Sequence, residues 1–103
     1  MLHPFLQERL PEIKKLMVQY HVTTAYAFGS VCTDKFNEQS DVDFLISFDE
    51  NLEPLERGEL WWELYYSLKK TLNRKIDIVT IKSLQNPYFI EELNNTKEII
   101  YAA

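Results

Sequence analysis

The stretch FGSVCTDKFNEQSDVDFLISF, Phe28 to Phe48, decides the fold of this chain. Gly29-Ser30 closes one apolar run, ten residues separate Ser30 from Asp41, and Asp41 and Asp43 open a second apolar run. Successive side chains on a strand point to opposite faces. Asp41 and Asp43 therefore share one face, and Val42, Phe44, Ile46 and Phe48 share the other. Two carboxylates side by side repel each other unless something neutralises them. A hard divalent cation such as Mg²⁺ does so, with carboxylates and phosphate oxygens as its usual ligands. Gly29-Ser30 supplies what a phosphate needs: backbone that can approach closely, a hydroxyl, and the start of a short helix, Ser30 to about Phe36, whose free N–H groups face an anion.

Working outward, Leu10, Ile13, Leu16 and Met17 recur at helical spacing. They predict a helix over Pro4–Tyr20, with Pro11 marking an internal start. Thr23–Phe28 reads as the first strand and Asp41–Phe48 as the second. Leu52–Leu72 reads as the longest helix, with Gly58 its weak point. Ile76–Ile81 is the third strand, Pro87–Leu93 a last helix, and Glu98–Tyr101 a final strand or tail. The fold class is α/β (α+β), a mixed sheet of three to four strands with helices mainly on one face. Ile76 and Ile78 belong to the helix-covered face, which leaves Asp77 with Asp41 and Asp43 on the other. Taken singly, Asp41 fits a turn cap and Asp77 an ion pair with Arg74 or Lys75. Three carboxylates on one face would be costly to bury unpaired, and make sense at a metal site.

These residues resemble a known family. Gly29-Ser30, the spacer, Ser40-Asp41-Val42-Asp43, Phe44-Leu45-Ile46 and the later Asp77 are similar to the motifs of the DNA polymerase beta-like nucleotidyltransferases. The likeness is greatest to the small minimal nucleotidyltransferases, often paired with a HEPN-domain protein in toxin–antitoxin modules. The resemblance implies that Asp41 and Asp43 bridge two Mg²⁺ ions. It further implies that Asp77 helps hold the catalytic metal and draws the proton from the acceptor hydroxyl. Gly29 and Ser30 would grip the nucleotide phosphates, with ATP as donor and AMP transferred to a hydroxyl of a HEPN-type toxin. The chain departs from the family after Gly-Ser: the frequent Arg is missing from Val31-Cys32-Thr33-Asp34-Lys35-Phe36, and Asp34 brings a negative charge. Lys35 is the remaining basic candidate for nucleotide binding. A non-catalytic partner-binding module and a small-molecule (aminoglycoside-type) nucleotidyltransferase are the alternatives.

Composition sets the frame. The 103 residues suit one domain, 1–103, with 46% hydrophobic residues, two Gly and four Pro. A chain of this size buries roughly two thirds of its unfolded surface. The net charge of −5 argues against broad nucleic-acid binding. No apolar run approaches the ~20 residues that span a bilayer, and no basic n-region precedes an apolar core. With a single cysteine, Cys32, a reducing cytoplasm is the expected location. His3, His21 and Cys32 read as structural. Lys69, Lys70, Arg74 and Lys75 suit a helix C-terminus, or a phosphate-attracting rim. Trp62 and Tyr66 lie four apart and away from the Leu60-Leu64-Leu68-Leu72 stripe, which leaves two readings: they pack under loops, or they form an exposed partner-binding surface.

Overall fold

The computed structural model describes residues 1–103. Helices α1 (Pro4–Gln7) and α2 (Leu10–Gln19) lead into strand β1 (Val22–Phe28). A 3₁₀ turn, Gly29–Cys32, and a loop then reach β2 (Val42–Phe48). Helix α3 (Pro54–Leu72) crosses to β3 (Ile76–Thr80), and helix α4 (Pro87–Thr96) precedes β4 (Glu98–Ala102). The sheet order is β3-β2-β1-β4. β1 pairs antiparallel with β2 and β4, whereas β2 and β3 are parallel. A parallel pair needs a long crossover, and α3 supplies it.

The proline and asparagine positions explain the boundaries. Pro4, Pro11, Pro54 and Pro87 each occupy the first turn of a helix, where a missing N–H costs nothing. The expected break in the leading helix falls at Glu8–Arg9, with Pro11 the second residue of α2. Asn73 ends α3 in the left-handed region at φ 52°, while Lys69 and Lys70 complement its C-terminal dipole. Asn86 caps α4 by accepting from the N–H of Tyr88 at 2.9 Å. The short helix expected over Ser30–Phe36 is instead the four-residue 3₁₀ turn. Its C-cap, Thr33, donates backbone N–H and Oγ1 to the Ser30 carbonyl at 2.9 Å each, closing the turn early.

Strand alternation sorts the core. Ala25, Ala27, Val42, Phe44, Ile46, Ile76 and Ile78 point to one face. There they pack with Leu6, Ile13 and Met17 of the leading helices and Leu64, Leu68 and Leu72 of α3. The i, i+4 spacing on both helices is the reason these faces meet. The opposite face is not bare. Phe28 and Leu45 pack there with Leu93 of α4 in a second, smaller cluster. Three helices cover one face and one helix covers part of the other.

Two of the side chains expected to be structural have defined roles. His3 caps α1, its Nδ1 accepting from Phe5 N–H, and its ring lies 4.7 Å from Phe36. Cys32 Sγ donates to the Ala27 carbonyl at 3.4 Å, and burial pushes its thiol up to about 11. That leaves almost no thiolate at neutral pH. Of the basic cluster, Arg74 is a clamp. Its guanidinium stacks over Phe36 and Phe5 and donates to the carbonyls of Asn37 and Ser40, the latter at 2.7 Å. No helix is long and apolar enough to cross a membrane.

Candidate functional site

The site is a row of three residues across three strands. In register, Phe28 of β1 faces Asp43 of β2, and Asp43 faces Asp77 of β3. Residues opposite each other in register project from the same face, so the two carboxylates stand side by side. Their face is the one opposite the main core, as the parity of Val42, Phe44, Ile76 and Ile78 predicts. A cavity of about 190 Å³ opens above them, bounded by Gly29, Asp43, Asp77, Glu92 and Thr96.

Gly29 is present for a local reason. Its φ is +76°, a conformation that L side chains rarely adopt. A Cβ built on it would lie 2.7 Å from Asp43 Oδ2. The turn therefore brings bare backbone against the carboxylate. Helix α4 holds the turn in place, with Gly29 N–H donating to Thr96 Oγ1 at 3.3 Å. Ser30, next in the turn, is half-buried.

The carboxylates have no protein counter-ion. The chain's two ion pairs are Met1 with Glu98 and Arg9 with Glu8, so Asp41, Asp43 and Asp77 pair with neither Arg74 nor Lys75. The Asp43 carboxyl is pushed up to about 6, first by burial, then by the charges of Asp77 and Asp41. An electron-rich cluster that resists ionisation in this way suits a divalent cation, which would remove both causes of repulsion. The side chains do not form a closed cage: no group of three or more His, Cys, Asp or Glu is gathered tightly enough. Mg²⁺ is commonly held by one or two carboxylates, with water and phosphate oxygens completing the shell. Asp43 and Asp77 fit that pattern.

The remaining predicted residues take distinct places. Asp41 lies one residue before β2 and outside the cavity wall, although its charge reaches Asp43. The loop that carries it is held by the Arg74 bonds to Asn37 and Ser40. Lys35 is exposed beyond the 3₁₀ turn and does not line the cavity. Sequence reasoning missed Glu92 and Thr96, which bring a further carboxylate and a hydroxyl to the rim. Their i, i+4 spacing on α4 was visible, but nothing local shows that α4 folds back over a turn 67 residues earlier.

The fold agrees with known proteins. Residues 11–103 match the model of the family described as polymerase beta, nucleotidyltransferase, and the chain belongs to that family. It is a nucleotidyltransferase. A relative from Methanocaldococcus jannaschii, named "Putative protein adenylyltransferase", is 35% identical over 97 residues, covering 93% of each chain. A solved structure of a "putative minimal nucleotidyltransferase" superposes with a TM-score of 0.72 at 26% identity, covering 95% of each chain. A tri-AMPylated Shewanella oneidensis HEPN toxin in complex with MNT antitoxin gives a TM-score of 0.65 at 20% identity. That match covers 94% of this chain and 72% of the solved one, and shows the same fold.

Proposed function

We propose that this chain is a single nucleotidyltransferase domain that moves AMP from ATP onto a hydroxyl of a partner protein, a HEPN-type toxin, with this chain as antitoxin. The observation that carries the reading is the Asp43–Asp77 pair, without a counter-ion, beside the bare backbone of Gly29. Asp43 and Asp77 in the cavity, with Asp41 outside its wall, would hold Mg²⁺. When bound, the metal would supply charge neutralisation at the reacting phosphate. The open backbone at Gly29-Ser30 receives the phosphates. Asp77, the more exposed carboxylate, accepts the proton of the attacking hydroxyl. A bond forms between the acceptor oxygen and the α-phosphorus, the bond to the pyrophosphate oxygen breaks, and pyrophosphate departs. The name of the M. jannaschii relative and the AMPylated toxin in the S. oneidensis complex both support AMP as the transferred group.

The test uses ATP labelled at the α-phosphate, Mg²⁺ or EDTA, and the neighbouring gene's product. Label on that protein, dependent on Mg²⁺, is the expected result. A stable complex without label would replace this reading by a binding module, and label on an aminoglycoside supplied in a parallel reaction by a small-molecule enzyme.

The partner's docking surface is predicted on α3. Trp62 is 54% and Tyr66 61% exposed, and their rings stack at 5.9 Å. Trp61 and Tyr65, by contrast, pack against the core. Trp62→Ala should weaken the complex by about thirtyfold, the loss typical of a 2 kcal/mol anchor. Because Trp62 is on the surface, the melting temperature should hardly move. A sharp fall in melting temperature would show instead that the residue belongs to the core.

A further inference from the structure

The two ends of the parallel pair β2 and β3 carry opposite charge. Asp43 and Asp77 stand near the amino ends. At the carboxyl ends, about 16 Å along β2 by strand rise, lies a second and separate cavity of about 280 Å³. Ile46, Phe48 and Trp61 supply its apolar wall, and Arg57 and Lys82 its charge. Arg57 projects from the second turn of α3 and is half-buried, whereas Lys82 comes from the 3₁₀ turn after β3. Neither cation has a carboxylate within ion-pair distance, although the chain as a whole is acidic. Trp61 is held in place by stacking on Tyr65 at 5.5 Å. Gly58 also lines the cavity, and a Cβ there would meet nothing within 4 Å. In open α/β sheets the crevice beyond the carboxyl ends of parallel strands is a favoured place for ligands. A mainly apolar hollow with a few convergent polar groups is the usual form of a small-molecule site, and this one falls just below the usual size range, which limits it to a small ligand.

We propose that this cavity binds a small aromatic anion of nucleoside-monophosphate size or less. Its ring lies against Trp61 and Phe48, and its anionic group lies between Arg57 and Lys82. The site is distinct from the nucleotide site and of opposite polarity. A ring without charge would leave both cations without a partner, and inorganic phosphate would leave the apolar wall wet. Each half of the ligand is therefore required.

The experiment titrates naphthalene-2-carboxylate, naphthalene-2-carboxamide and inorganic phosphate into the full chain, following the Gly58 amide and the Trp61 indole N–H by NMR. The carboxylate should saturate with a Kd below about 1 mM, and the other two should bind at least about tenfold more weakly. Arg57→Gln and Lys82→Gln should each weaken the carboxylate by about tenfold. Gly58→Leu should abolish binding at an unchanged or higher melting temperature, since leucine fills open space and favours helix more than glycine. Asp43→Asn should bind the carboxylate as the wild type does, which separates this site from the nucleotide site. Equal affinity for carboxylate and carboxamide, no saturable shift at Gly58 or Trp61, or undiminished binding by a folded Gly58→Leu variant would each overturn the proposal.

Discussion

Asp43→Asn is expected to abolish nucleotidyl transfer and, in the same molecule, to make the metal-free fold more stable at pH 8. The two effects share one cause. The Asp43 carboxyl is pushed up to about 6 by burial and by Asp77 and Asp41. Between about pH 4, where an unfolded aspartate titrates, and pH 6 the folded chain keeps a proton that the unfolded chain has lost. Stability therefore falls as pH rises through this window, and the deficit is complete above it. A carboxyl raised from about 4 to about 6 corresponds to about 3 kcal/mol at full value, but Asp43 is only partly buried, and screening reduces the expected gain to about 1 kcal/mol. Asn keeps the shape and removes the charge. Thermal melts in EDTA from pH 4 to 8 should show the variant ahead at pH 8 and level with wild type near pH 4. Asp77, Asp41 and Glu92 face the same cavity or act on the same carboxyl, so the titration is broad. Transfer at the wild-type rate by the variant would remove Asp43 from the catalytic assignment, and equal melts at pH 8 would remove the strain.

How much of this was legible in the sequence differs from element to element. The two-residue period of β2 and β3 was enough to place Asp43 and Asp77 on the face opposite Phe44 and Ile78, because a strand has only two faces. The extent of α3 followed from its leucine spacing to within two residues, and Pro11 marked the start of α2 inside the Pro4–Tyr20 stretch to within one. The offset of Trp62 and Tyr66 from the leucine stripe left packing under loops and exposure both open, and the structure exposes them. Long-range contacts were not legible. Leu45 lies on the site face yet is buried, because Leu93 comes back from α4 to cover it. Charge pattern alone leaves Arg74 in a helix-terminal basic cluster, a phosphate-attracting rim or an ion pair with Asp77, whereas its guanidinium is engaged by Phe36 and by two loop carbonyls 34 and 37 residues earlier. The Gly-Ser turn was expected to launch a longer helix, since the early closure depends on Thr33, a residue whose side chain bonds backward onto Ser30. Local pattern identified the carboxylates; what surrounds them was written far along the chain.

Gly29→Ala is expected to cost both stability and activity, through two separable terms. The first is backbone: alanine at φ +76° is strained wherever it stands, by about 1–3 kcal/mol. The second is contact. The new methyl would stand 2.7 Å from Asp43 Oδ2, so either the carboxylate rotates away from Asp77 or the turn lifts from Thr96. Either movement displaces the groups proposed to hold the metal and the phosphates, and a displacement of about 1 Å at a reacting centre can cost a hundredfold in rate. A double-mutant cycle distinguishes the terms. Asp43→Ala removes the oxygen that the methyl would strike, so on that background Gly29→Ala should retain only the backbone cost. The difference between the two backgrounds is the coupling between turn and carboxylate, and it should be positive and measurable in chemical denaturation. If Gly29→Ala costs the same in both backgrounds, the turn does not press on Asp43. The glycine would then be required for its dihedral angle alone, and the close approach of backbone to carboxylate would have no part in shaping the site.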